Sequence, residues 1–135
     1  MKGHLFLDAS FWIAYRDERQ ELHSQARQIL IEVFRRRLRI VTTLPVLCKT
    51  HAHFSRNTKK KRLILEDLWN NPIVNLEAVT HQDQEDAIGI LQSHADKAYS
   101  LCDATSFVIM RRLGLRQVLT FDDHFRQFGE FEIIS

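Results

Sequence analysis

Three aspartates and one lysine carry the chemistry legible in this 135-residue chain: Asp8, Asp103, Asp122 and Lys49. Asp8 directly follows HLFL, an apolar run that reads as a short buried strand. Asp122 directly follows QVLTF, another strand-like run, and Asp103 opens the apolar segment CDATSFVIM. In a parallel sheet, groups just beyond the strand C-termini line one edge, where ligands bind. Three carboxylates drawn together there repel, and each resists ionising unless a cation compensates. Mg²⁺ or Mn²⁺ suits such a site, since both take hard oxygen ligands and keep waters for substrate or nucleophile. Each aspartate also suits a turn or a cap, and Asp103 and Asp122 both fit the N-cap position of a helix. Spacing alone leaves the metal site and the capping roles side by side. Ser10 and Thr120 flank two of the acids; they read as donors that fix carboxylate geometry or, equally, as a turn serine and a strand threonine.

The elements that must position these residues alternate along the chain. His4–Leu7 is the first strand, and Glu18–Leu38 spaces Leu22, Ala26, Ile29, Leu30, Val33 and Phe34 as one helical stripe. Arg39–Thr42 is a second strand, followed by a helix from near Pro45 that Asn57 and Thr58 break. A further helix covers Lys59–Asn70, and Pro72 introduces a third strand, Ile73–Leu76. Thr80 with Asp83 resembles a helix start, although the usual capping box has Glu or Gln at the latter position, and the helix after it runs towards His94. The stretch Ala104–Met110 is apolar on nearly all sides, as a helix packed centrally on a sheet must be, and Gly114 is placed to cap it. Gln117–Phe121 is the fourth strand, DDHFRQF a short helix and FEII the last strand. The alternation predicts a single α/β domain over residues 1–135, in three α/β/α layers with a small, mostly parallel sheet.

Composition agrees with a folded globule: 44% hydrophobic and 27% charged residues. No apolar stretch approaches the roughly 18 residues of a bilayer span. The N-terminal GHLFLDASFWIAY is broken by Asp8 and reads against a secretory signal. Cys48 and Cys102 have no paired metal-ligand spacing, so cytoplasmic residence is the expectation. The net charge of +2 hides an asymmetry, because no acid falls between Glu32 and Glu66 while ten basic residues do. Arg35–Arg37 suit a last helical turn and Lys59–Arg62 a solvated face, but the whole acid-free block favours a polyanionic partner.

Four ordered stretches carry a resemblance: LFLDASFWIA, IVTTLPVLCKTHAHF, YSLCDATSFVIMRRLG and VLTFDDHF. They resemble the successive motifs of PIN-domain proteins, particularly the VapC-type toxins of bacterial toxin–antitoxin pairs. The resemblance runs from the first strand to the last. It implies a metal-dependent endoribonuclease with a site of three or four acids, an RNA substrate, a cognate antitoxin over the cleft and a homodimer. Asp8, Asp103 and Asp122 match the family's acids, whereas Asp123 lies one step beyond the matched position.

Lys49 is the departure. Members of the family usually carry glutamate in the helix after the second strand, and Lys49 stands at that position. Three carboxylates and an ammonium total −2, against −4 with glutamate, and the helix offers no substitute acid. An ammonium among three aspartates can pair with them and fill the metal's space, so weakened metal binding and reduced or absent cleavage are expected. Three explanations stay open: a deliberate substitution that silences a toxin, a natural PIN domain that binds RNA or protein without cutting, and an enzyme that keeps activity with its three aspartates and a metal held less tightly.

Unrelated α/β phosphate enzymes fit less well. A phosphorylated receiver domain needs an acidic pair after strand one and an Asp after strand three, and a haloacid-dehalogenase-like phosphatase needs D-x-D where this chain has DAS. His51 and His53, two apart, diverge on a helix, and His124 reads as a local hydrogen-bonding residue rather than a ligand or base. Phe11, Trp12, Phe107 and Phe125 read as core.

Overall fold

The computed structural model describes residues 1–135. Its elements run β1 (His4–Leu7), α1 (Ala9–Arg16), α2 (His23–Arg35), β2 (Arg39–Thr43), α3 (Leu44–His53), α4 (Thr58–Leu68), β3 (Val74–Glu77), α5 (His81–Ser93), α6 (Leu101–Leu113), β4 (Gln117–Leu119), α7 (Asp123–Phe128) and β5 (Glu132–Ile134). All five strands are parallel, in the order β3-β2-β1-β4-β5. The chain therefore leaves β1 towards one side of the sheet and returns to its other side at β4. That reversal opens a crevice at the strand C-termini, where ligand sites of such sheets sit.

Strand alternation builds the three layers. Phe6, Val41 and Val118 pack with α5, α6 and α7 on one face, while Leu5, Leu7, Ile40 and Leu119 pack with α1 to α4 on the other. The two buried clusters are the separate cores of an α/β/α sandwich, as the alternation of elements predicts. Helix α6 is buried from Asp103 through Met110, which explains its lack of a polar stripe. Gly114 ends it in the left-handed conformation, at φ 68°, that glycine adopts without a side-chain clash.

Several boundaries differ from the sequence reading. Helix α1 was not anticipated; its buried Ala9, Phe11, Trp12 and Ala14 leave it no broad polar face to reveal it. Helix α2 begins at His23 rather than Glu18, because Asp17 caps α1 and Gln20 N–H turns back to its carbonyl. Strand β4 stops at Leu119, so Asp122 stands three residues past it and not directly after it. Phe11, Trp12, Phe107 and Phe125 are core residues.

Candidate metal centre and active site

Each aspartate reaches the C-terminal edge of the sheet from a different element. Asp8 leaves β1 as the N-terminal flank of α1; it is 2% exposed. Asp103 occupies the third position of α6, where it closes a capping box with Ser100: each backbone N–H donates to the other's side chain at 3.0 Å. It is thus part of the cap rather than the N-cap itself. Asp122 is the N-cap of α7 and accepts from His124 N–H at 3.0 Å. The capping and metal-site roles, open alternatives in the sequence, coincide in the same side chains.

Hydroxyls hold Asp8. Ser10 Oγ donates to its Oδ2 at 2.6 Å and Thr120 Oγ1 to the same atom at 2.8 Å. Those hydroxyls accept in turn from Phe121 N–H and Asp122 N–H, both at 3.0 Å, so the turn after β4 is tied to β1 through one carboxylate. Burial pushes the Asp8 pKa up; the two hydroxyl bonds oppose this, and the charges of Asp103 and Asp122 add to it.

His124 joins the other two acids. Its Nδ1 lies 2.7 Å from Asp103 Oδ2 and 3.3 Å from Asp122 Oδ1. One ligand atom from each of Asp103, Asp122 and His124 falls within a sphere of mutual separation below 4.8 Å. Sequence reasoning ranked His124 as a local hydrogen-bonding residue; it is one, but its partners are two of the candidate ligands. The available signal was its place two residues after Asp122 in the same short helix.

One pattern unites the three aspartates. Each has one oxygen held by protein donors and the other left free: Oδ1 of Asp8, Oδ1 of Asp103 and Oδ2 of Asp122. The free oxygen of Asp103 is fully buried and has no partner. A buried charged atom without a partner costs more than about 1–3 kcal/mol. Asp8 lies outside the group formed by Asp103, Asp122 and His124, although the charges of both aspartates act on it. The free oxygens of Asp103 and Asp122, the first of them unsatisfied, are hard ligands of the kind that Mg²⁺ or Mn²⁺ takes, with the free oxygen of Asp8 nearby.

Lys49 lies in the second turn of α3, whose buried face is Val46, Leu47 and Thr50. It is exposed and forms no ion pair, so the expected pairing with the aspartates is not made. Helix α3 starts directly after β2, which lies beside β1, so Lys49 stands at the same C-terminal edge of the sheet as Asp8. Burial pushes the Cys102 thiol up to about 11, the charges of Asp8 and Asp103 act in the same direction, and Lys49 pulls it back. Asp123 is exposed at the start of α7 and stands apart from the cluster. His51 and His53 join no metal-ligand group, and His53 pairs with Asp17 at 3.0 Å.

The fold divides the acid-free block. Arg39 pairs in register with His4 at the start of β1, so Arg35–Arg39 lie at the N-terminal edge of the sheet, away from the aspartates. Lys49, Arg56 and Lys59–Arg62 belong to α3, α4 and their connection. The ten cations do not form one surface.

Comparison with known proteins completes the site's setting. The family profile described as PIN domain matches residues 5–130. The 23S rRNA-specific endonuclease VapC20 of two Mycobacterium tuberculosis strains is 28% identical over 130 residues, covering 96% of this chain and 97% of the relative. The crystal structure of M. tuberculosis VapC20, described as a sarcin–ricin loop cleaving toxin, superposes with a TM-score of 0.86 at 27% identity, over 97% of this chain and 99% of that one. FitAcB from Neisseria gonorrhoeae shares the fold, with a TM-score of 0.66 at 13% identity, over 97% of this chain and 96% of that one.

Proposed function

The chain belongs to the PIN-domain family and is VapC-like; from that premise we propose that it is the endoribonuclease toxin of a toxin–antitoxin pair, cutting RNA phosphodiesters with a divalent metal at a site that Lys49 weakens. The observation that carries the reading is the shared pattern of the aspartates, one oxygen held and one free, with the free oxygen of Asp103 buried and unpartnered.

Asp8, Asp103 and Asp122 would hold Mg²⁺ or Mn²⁺. When bound, the ion polarises the phosphate and lowers the pKa of water, the chemistry that phosphodiester hydrolysis needs. The chain's own residues do the positioning. Ser10 and Thr120 fix the rotation of Asp8, and His124 fixes Asp103 and Asp122 relative to each other. Outer partners of this kind maintain ligand geometry. Arg56, Lys59, Lys61 and Arg62 supply positive charge for an RNA backbone on the α3–α4 side.

Lys49 favours a second reading, a PIN domain that binds RNA or protein and does not cut. Its ammonium replaces the family's glutamate charge at the rim without an alternative acid on α3. Protein partners follow from the same family premise: an antitoxin over the cleft, and a second copy of the chain. A cavity of about 710 Å³ beside the site, bordered by Leu44, Ile88 and Leu101, each about half exposed, supports a protein-covered surface there.

The test is cleavage of an end-labelled sarcin–ricin loop RNA, the target for which the M. tuberculosis relative is named. Slow cutting with Mn²⁺ that EDTA stops and that Asp103→Asn abolishes is expected. Cutting that survives EDTA and Asp103→Asn refutes the site. Absence of cutting by both the wild type and Lys49→Glu, with RNA still bound, favours the non-cutting reading.

A further inference from the structure

The acidic site continues into a trough that leads away along α3. A first concavity of about 430 Å³ is bordered by Ser10, Ile13, Leu22, His53 and Phe121, among others. A second, of about 460 Å³, is bordered by Asp17, Arg19, His53, Arg56, Asn57 and Lys60, with Glu18 and Phe54. His53 borders both, so they adjoin at its ring. At its inner end the trough joins the aspartates, because Ser10 Oγ both donates to Asp8 and accepts from Phe121 N–H.

The two halves differ in chemistry. The inner half presents Ile13, Leu22 and Phe121, an apolar floor of the kind on which a nucleobase rests, with Gln20 and the exposed Glu21 also on its border. The outer half is charged, yet most of its charges are already matched. Asp17 accepts from Arg19, Gln20 and His53, and Glu18 accepts from Lys60 at 2.5 Å. Arg56 is exposed, makes no ion pair and is the one cation there without a carboxylate. Beside it, Asn57 spends its Oδ1 on Lys60 N–H as the N-cap of α4, leaving its side-chain amide nitrogen as a spare donor. A free guanidinium beside a free amide N–H is a phosphate-binding pair.

We propose that this trough is a subsite for the RNA strand next to the cleavage point, with one base on Ile13, Leu22 and Phe121 and a backbone phosphate on Arg56 and Asn57. The proposal rests on the nuclease reading of the acids and adds to it where the flanking strand runs. Lys49 and His53 stand four residues apart on one face of α3, and Arg56 follows in the turn that joins α3 to α4. An acidic peptide would want several free cations, whereas an apolar floor followed by one free cation matches the base-then-phosphate order of a nucleotide.

The experiment measures anisotropy of a labelled single-stranded RNA of about a dozen nucleotides, with EDTA present to prevent cutting. Arg56→Glu is compared with Arg36→Glu, which makes the same charge change at the opposite edge of the sheet. Both side chains are exposed, so near-equal melting temperatures establish that each variant folds. Arg56→Glu is expected to weaken binding about tenfold and to reduce the salt slope by about one, and Arg36→Glu by less than about twofold. Equal effects of the two variants, no effect of Arg56→Glu, or no RNA binding by the wild type overturns the subsite. Cleavage with Mn²⁺ is read separately. An Arg56-dependent affinity without cleavage retains the subsite and removes the nuclease reading, and cleavage indifferent to Arg56 does the reverse.

Discussion

Replacing Lys49 by glutamate changes the charge at the rim of the site by two units, from −2 to −4 over four side chains. Two unit charges about 4 Å apart interact by about 1 kcal/mol in water and about 4 kcal/mol at an effective dielectric near 20. Lys49 is exposed and unpaired, so the water-like figure applies. A two-unit reversal acting on a divalent ion multiplies it about fourfold, and physiological salt and longer separation cut the product by about half. The result is roughly 2 kcal/mol, or about thirtyfold tighter metal binding. Calorimetric titration with Mn²⁺ reads this directly. Well above both dissociation constants the same difference appears as extra stabilisation, raising the melting temperature by about 6 °C more than in the wild type. Lys49→Gln separates charge from ligation, since a purely electrostatic effect gives it about half the free-energy gain of glutamate. A glutamate that also ligates the ion exceeds twice the glutamine effect. Equal Mn²⁺ affinity in wild type and Lys49→Glu would refute the assignment of Lys49 to the metal site.

Three further outcomes follow from the geometry. Thr120→Val removes the donor to Asp8 and the acceptor for Asp122 N–H at nearly constant volume; a loss of about 2 kcal/mol in urea unfolding is expected, together with weaker Mn²⁺ binding. His124→Ala frees Asp103 and Asp122 from their common donor and should weaken Mn²⁺ binding about ten- to a hundredfold, measured by calorimetry, while far-UV circular dichroism is unchanged. Asp17 is held well below the ordinary carboxylate range, first by the Arg19 hydrogen bonds and then by His53, against the cost of burial. Its folded pKa is depressed, so its contribution is present above the unfolded value of about 3.9 and is lost as pH falls below it. Asp17→Asn should therefore be less stable at neutral pH and converge on the wild type in acid, as followed by denaturant midpoints across pH.

Local chemistry made much of the fold legible. Thr80 with Asp83 and Ser100 with Asp103 both form capping boxes; the first pair was legible as a helix start, and aspartate takes the place of the usual Glu or Gln in both. Gly114 caps α6, and the apolar run after Asp103 is buried as a central helix must be. What failed was hidden by tertiary context. Helix α1 buries most of its length between β1 and its neighbouring helices, so its sequence shows no amphipathic stripe. The start of α2 was misplaced because Glu18–Leu22 is consumed by a turn built on Asp17, whose carboxylate binds Arg19, Gln20 and His53. His53 comes from another helix, and no local pattern announces that contact.

The candidate site divides along the same line. Asp8, Asp103 and Asp122 were readable because each is fixed to the end of an element, and the sheet edge gathers element ends. His124 was undervalued because its role is to bridge Asp103 and Asp122, a distance across two helices that sequence does not give. Lys49 is subtler. Its neighbour Thr50 is buried with Val46 and Leu47 against the sheet, and one residue of rotation, about 100°, places Lys49 on the rim instead. A lysine at Thr50 would have required burial and a carboxylate partner. At the rim its ammonium stays solvated and needs none. The fold therefore tolerates Lys49 without strain, and its consequence falls on the charge of the site. The same charge change has opposite signs with and without the ion. Lys49→Glu adds repulsion among the carboxylates and should lower the metal-free melting temperature, whereas Mn²⁺ should raise that of the variant more than that of the wild type, as melts in EDTA and in Mn²⁺ would show.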